Sequence, residues 1–295
     1  MKPSNLRHRA SLPLPWLPPP ETRTRTLTPT KPSPSKILHT IKDPSSTLKQ
    51  ILTAFSSASR HPNFHHNYET YQTLIPLLAR RRQFTVAGAV LNVMRRRDGL
   101  APGPTVLIPL VKSYCDDGRY VDAVDVFLKF SSSNRVFSFL LKTLVDDGEL
   151  DVAEVLFRKA ADLGFQIQVR YYNAFIKGLC DHLMIDDGIR VFKGMLSSAV
   201  SPDVITFSTL ISHLGKEGRV LGSNAMFGKM LMMGVLPDSA CYKILFRMYW
   251  RNQMVSEGVG ILRGLVMDGL LNEGEVLGFD GVVGEEMLGA VLKRG

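Results

Sequence analysis

The sequence predicts an all-α solenoid of stacked helical hairpins, on three observations. A pattern recurs about every 35 residues between Tyr68 and Glu273. It is plainest in two adjacent stretches, Val169 to Asp203 and Val204 to Asp238, each 35 residues long and each ending in Pro-Asp. Inside every period the apolar residues fall at helical spacing, not strand spacing. Repeats of this length bury their apolar faces by stacking on their neighbours, so function is to be sought along an extended surface.

Taken in order, Met1 to about Lys42 is rich in Arg, Ser, Thr and Pro and almost free of acids. Such a segment reads as a disordered organelle transit peptide, outside the fold. Arg7, Arg9, Arg23 and Arg25 favour the mitochondrion, since positive charge draws a leader across an energised membrane. Pro13, Pro15, Pro18, Pro19 and Pro20 interrupt an amphipathic helix and keep the chloroplast as the alternative. Residues 43–67 follow, with a cap-like start and apolar Leu48, Ile51, Leu52 and Phe55, which predicts an N-terminal capping helix and a connection. Six units then occupy 68–103, 104–133, 134–168, 169–203, 204–238 and 239–273. Residues 274–295 are read as a C-terminal cap or tail.

Each unit carries two apolar stripes. The fourth residue is large (Tyr71, Leu107, Phe137, Tyr172, Phe207, Tyr242), and the seventh, eighth and eleventh are apolar or aromatic. Those offsets form one face of a first helix, at 3.6 residues per turn. The twentieth residue is small (Ala87, Ala123, Ala153, Gly188, Ser223, Gly258), and the twenty-fourth is large (Leu91, Phe127, Phe157, Phe192, Phe227, Leu262). A small residue lets two helix axes approach, and the large one fills the space a turn later. Gly118, Gly148 and Gly218, with Asn252 one residue early, mark a tight turn between the helices. The Asp-Asp-Gly triplets at 116–118 and 146–148 fall at that turn, whereas 186–188 falls inside a second helix. They read as turn chemistry, with no metal site expected.

Charge is unevenly placed. The chain carries +9, but ten of its 36 Lys and Arg and only two of its 27 acids lie in residues 1–67. The remainder is close to neutral, so the basic excess belongs to the leader. No apolar run reaches 18 residues, and membrane insertion is not expected. Phosphate-loop, His-Glu-x-x-His and Gly-x-Ser-x-Gly motifs are missing, so no catalytic residue is assigned and an enzyme is not predicted. Cys115, Cys180 and Cys241 form no Cys-x-x-Cys pair, which argues against structural zinc. His61, His65 and His66 sit in a polar connection and are expected to be solvated. No cofactor is implied.

The string Tyr172-Asn173-Ala174-Phe175-Ile176-Lys177-Gly178-Leu179-Cys180, with its closing Ser201-Pro202-Asp203, resembles the pentatricopeptide repeat (PPR) family. The resemblance covers residues 68–273, and the even spacing is similar to the P-type subclass. It implies a right-handed superhelical α-solenoid that binds single-stranded RNA at about one base per repeat. The fifth and last residues of a unit would meet a base edge, and the second residues of adjacent units would pack on its faces. Carried over residue by residue, the orthodox pairs are Asn173 with Asp203, for uracil, and Ser208 with Asp238, for guanine. Ser138 with Gln168 and Lys243 with Glu273 depart from the pattern, Gln72 lacks a clear partner, and Ile108 cannot hydrogen-bond. Ile205 is the expected aliphatic packing residue between two base positions. Arg170 would stack through its guanidinium plane, while Glu69 would repel a phosphate. Lys216 and Arg251, at the thirteenth offset, are candidate phosphate contacts. Arg80-Arg81-Arg82 and Arg95-Arg96-Arg97 are the dense basic patches.

Two functions fit this reading. One is an organelle RNA-binding protein acting in transcript stabilisation, processing or translation by non-catalytic base recognition. The other is a helical scaffold making mainly protein contacts, such as an organelle ribosome-associated or RNA-processing complex component. Asp203 and Asp238 also suit a purely structural role as helix N-caps.

Overall fold

The structure, a computed structural model, describes residues 32–254 and 256–261. Among the described residues the regular elements are all helical: α1 (Pro34–Lys42), α2 (Leu48–Ser59), α3 (Tyr68–Arg80), α4 (Phe84–Arg96), α5 (Pro104–Cys115), α6 (Tyr120–Phe130), α7 (Asn134–Asp146), α8 (Leu150–Asp162), α9 (Val169–Asp181), α10 (Ile185–Ser197), α11 (Val204–Lys216), α12 (Val220–Met232) and α13 (Ser239–Arg251). Residues 256–261 are helical as well. The chain divides into two compact units, residues 1–140 and 141–295. In the first, α1 packs on α2 and α3, and α5 packs on α3 and α6. In the second, α11 packs on α9, α12 and α13, and α9 also packs on α10. Each unit is thus a stack of helical hairpins, as the period predicts.

The two stripes form the cores. Tyr71, Leu107, Phe137 and Phe207 are fully buried, as are Ala87, Ala123, Ala153 and Ser223 at the small position. At Gly188 an added Cβ would lie 3.2 Å from the Cys180 sulfur, so a first helix and its second helix approach closely there and a side chain would need the thiol to give by a few tenths of an ångström. The hydroxyl of Ser223 is satisfied by the Ile211 carbonyl at 3.1 Å, which lets a polar residue serve where the others are Ala or Gly. Phe192 is buried and Phe227 half-buried. Leu262 and residues 274–295 lie outside the described residues.

The turn inside the hairpins is more regular than its sequence. Its fifteenth residue has positive φ in all six units: Arg82, Gly118, Gly148, Leu183, Gly218 and Gln253. Three of these are not glycine, and each non-glycine in this region costs roughly 1–2 kcal/mol. The turn keeps this conformation whatever residue occupies it. The break expected at Asn252 is therefore at Gln253, and Asn252 instead ends α13 by donating to the Met248 carbonyl at 2.8 Å.

The N-terminal region corrects one expectation. Residues 34–42, assigned to a disordered leader, form α1, with Ile37 and Ile41 buried. Two apolar residues one turn apart give the helix a face to pack on α2 and α3, despite its basic surroundings. Pro34 at its first turn and the Ser33 side chain, which accepts from the Lys36 N–H, start it. Within 43–67 the helix is α2, and α1, from outside that range, packs on it as a hairpin. Residues 1–31 of the expected leader lie outside the described residues.

The histidines were expected to be solvated, but only His61 and His65 are exposed. His66 is buried, stacked at 4.0 Å on Phe55, with its Nε2 2.8 Å from the Ser59 hydroxyl. Its backbone N–H donates to Asp98, whose carboxylate also accepts from the Tyr71 hydroxyl and contacts His65 Nδ1 at 3.1 Å. Burial holds the His66 ring down at about 4, against the opposing pull of the Asp98 carboxylate.

Candidate nucleic-acid interface

The fifth position of α9 and the residue preceding α11 are brought together. The Asn173 side-chain nitrogen donates to both oxygens of Asp203, at 3.0 and 3.1 Å. Asp203 is the N-cap of α11 and accepts from the Thr206 backbone N–H at 2.9 Å. Thr206 closes the group: its hydroxyl is 2.6 Å from Asn173 Oδ1 and 3.0 Å from Asp203 Oδ1, and it accepts from the Asp203 N–H at 3.2 Å. Asn173 is 8% exposed, so its amide is a positioned group and not a mobile surface side chain. Burial pushes the Asp203 carboxyl upward, but the hydrogen bonds from Thr206 and Asn173 outweigh this and hold it below 3.8. The carboxylate is charged at neutral pH.

The second pair is not joined in this way. Asp238 caps α13 through the Cys241 N–H at 2.8 Å, and that bond, first among several, lowers its pKa. Ser208 turns its hydroxyl back to the Ile205 carbonyl at 3.3 Å. Between the two pairs stands Ile205, 60% exposed.

The cations are unequal. Lys216 and Arg251, at the ends of α11 and α13, are exposed. Arg170 is exposed too, but its guanidinium lies 4.9 Å from the Tyr171 ring and donates to that hydroxyl at 3.0 Å. In the first unit, Arg80 and Arg81 line a cavity of about 690 Å³ with Lys42, Gln72, Thr73 and Pro76. Glu69, read as repelling phosphate, is paired with Lys42 at 2.9 Å. Arg82 is paired with Asp117. In the 95–97 patch Arg95 and Arg96 are exposed and Arg97 is half-buried; Arg95 donates to the Lys129 carbonyl and Arg97 to the carbonyls of His61 and Phe64. The run remains a charged surface, and two of its arginines, Arg95 and Arg97, also tie one hairpin to the next.

Of the unorthodox positions, Gln72 and Ser138 are exposed and Ile108 is half-buried. Gln168 is the residue before α9 but makes no side-chain cap. Glu273 lies outside the described residues. Thr206 was missed as a site residue. The signal was present as Asp203-x-x-Thr206, a capping-box spacing in which the third helical residue reaches back to the cap.

The chain is similar to several known proteins. The PPR repeat family matches at residues 168–216 and 202–251. The pentatricopeptide repeat-containing protein At5g18475 of Arabidopsis thaliana is 25% identical over 221 residues, covering 72% of this chain and 44% of the relative. The Arabidopsis thaliana small ribosomal subunit protein mL103 (rPPR7) is 24% identical over 193 residues, covering 52% of this chain and 47% of that protein. The chain spans less than half the length of these relatives. The fold is similar to the crystal structure of PPR10 from maize, with a TM-score of 0.50 and 18% identity over 84% of this chain and 36% of that one. The family match, the curated relatives and the likeness of fold are all to pentatricopeptide repeat proteins.

Proposed function

We propose that this chain is a P-type pentatricopeptide repeat protein that binds single-stranded RNA in an organelle, the mitochondrion ahead of the chloroplast. It would act in post-transcriptional RNA metabolism by occupying a transcript, not by cleaving it. The observation that carries this reading is the Asn173–Asp203 pair, a positioned amide beside a charged carboxylate, with exposed Ile205 next to it. One N–H of the Asn173 amide is held by the carboxylate, which leaves its second N–H for an acceptor on a base edge. The PPR10 fold has also been solved in complex with an 18-nt psaJ RNA element. By the family's base-per-repeat logic, Asn173 with Asp203 reads uracil and Ser208 with Asp238 reads guanine. Lys216, Arg251 and Arg170 supply charge for phosphates or a stacking plane.

The test is base preference. The chain is expected to bind RNA containing adjacent uracil and guanine more tightly than RNA in which both are replaced. Asp203→Asn is expected to move the first preference toward cytosine, although Asn caps a helix as well as Asp. Equal binding to every sequence, or none at low salt, sinks the reading. The scaffold alternative is favoured by the ribosomal relative and by Leu231, Met232, Met233 and Leu236, which are exposed around the end of α12. In that case the chain would be recovered with organelle ribosomes after nuclease treatment, with no base preference.

A further inference from the structure

We infer that Thr206 is a positioning residue for base recognition: its hydroxyl sets the orientation of the Asn173 amide and thereby the discrimination of uracil from cytosine. This rests on the RNA-reading function proposed above and deepens it by assigning a specificity role outside the two paired positions. Thr206 is fully buried, so it would touch no base itself and acts through Asn173.

The orientation follows from chemistry. The amide edge facing Asp203 meets two carboxylate oxygens, and only the nitrogen end is attracted there. The oxygen end then needs a donor, because a buried carbonyl without one is costly. Thr206 has a single hydroxyl proton and two candidate acceptors, and it lies closer to Asn173 Oδ1, at 2.6 Å, than to Asp203 Oδ1, at 3.0 Å. The comparison within the molecule is Thr70, at the same third position of α3. There the residue equivalent to Asn173 is Leu38, and the Thr70 hydroxyl makes its 2.6 Å contact with its own cap, Asn67. Where the fifth residue of the preceding first helix is an amide, the short contact goes to it and not to the cap. At the next boundary the third residue is Cys241, whose thiol is a weak donor, and Ser208 is left turned to its own helix.

With both ends of the amide fixed, a donor N–H faces outward and matches the O2 or O4 acceptors of uracil. Releasing the oxygen end lets the amide rotate and present its carbonyl, which suits the amino group of cytosine. The inference is tested in the full chain with three variants. Thr206→Val removes the hydroxyl at constant shape, Thr206→Cys introduces the residue that unit 239–273 already tolerates, and Thr206→Ser keeps the hydroxyl. Binding to paired RNAs that differ by uracil or cytosine at one position is read alongside guanine preference at the neighbouring position.

Thr206→Val and Thr206→Cys are expected to lower uracil-over-cytosine discrimination roughly fivefold, the scale of one net hydrogen bond. Thr206→Ser is expected to restore it, and guanine preference is expected to hold in all three. If the unaltered chain discriminates and both hydroxyl-free variants discriminate equally well, the positioning role is wrong while RNA reading stands. Loss of both preferences together would also overturn it, since that is the mark of a general structural role. If the unaltered chain shows no base preference, RNA reading falls and the inference falls with it.

Discussion

The hairpin boundaries at residues 67–70 and 203–206 share one plan and differ in two residues: the cap, Asn67 or Asp203, and the fifth residue of the preceding first helix. At both, a short polar side chain caps the next helix: Asn67 accepts from the Thr70 N–H at 3.0 Å, and Asp203 from the Thr206 N–H at 2.9 Å. At both, a buried threonine sits three residues on. The fifth residue of the preceding first helix is Leu38 in one case and Asn173 in the other. The cap alone is helix chemistry that any boundary can use. An amide brought against it turns the same cap into a polar group with unused hydrogen-bonding capacity. A residue about thirty positions upstream, together with the charge of the cap, therefore separates a structural boundary from a candidate reading site.

The largest expected difference between the boundaries is in acid. His66 lies directly before the first, packed on Phe55 and facing Asp98, with His65 and Arg97 close by; the second has no such group. Its pKa is about 4 in the folded chain against 6.5 when unfolded. The unfolded state therefore takes up a proton first as pH falls. The contribution is fully present above 6.5 and is lost progressively down to about 4, a total of about 3 kcal/mol. Thermal melts of the chain should show this slope, and His66→Phe, which keeps the stacking on Phe55, should remove most of it. Asp203, depressed below 3.8, contributes no slope in that window and loses its stabilisation only below it. A slope unchanged in His66→Phe would place the acid sensitivity elsewhere.

Removing the two caps tests how far the boundaries differ in energy. Asn67→Ala is expected to cost about 1 kcal/mol, an ordinary cap. Asp203→Ala is expected to cost about 2 kcal/mol, because it also leaves the buried Asn173 amide without its acceptor. Denaturant melts of the two variants give the comparison directly. Equal losses would mean that Asn173 finds another partner and that the network adds nothing to the cap.

How much of this was legible depends on what fixes each feature. The register was readable because Tyr71, Leu107, Phe137 and Phe207 recur at one offset and must be buried for the hairpins to stack. The positive φ at Arg82, Leu183 and Gln253 was not, because those residues have no local preference for it. Helix α1 was hidden by a basic, Pro-rich context that outweighed two isoleucines. The burial of His66 was hidden because its partners, Phe55 and Asp98, are far from it in sequence. The Asn173–Asp203 pair was named from a family resemblance, but a string of letters could not say that the two side chains bond to each other. Thr206 could have been found from the capping-box spacing, since Asn67-x-x-Thr70 repeats it.

The smallest expected change in stability belongs to the most informative substitution for function. Asn173→Leu gives the second boundary the residue that the first already has in Leu38. The Thr206 hydroxyl is then free to bond Asp203, as Thr70 bonds Asn67 at 2.6 Å, so no buried donor is orphaned. Asp203 keeps its cap on α11, and the loss should stay within about 1 kcal/mol. Base recognition should respond differently. The outward N–H of the amide is gone, and uracil preference at that position should fall by about tenfold, the lower part of what a good base contact supplies. Guanine preference through Ser208 and Asp238 should persist, since neither residue touches Asn173. Melts and binding to single-base variants of one RNA measure both quantities on the same protein. A stability loss as large as that of Asp203→Ala, with base preference intact, would assign Asn173 to the cap and leave the boundary at 203–206 no more a reader than the one at 67–70.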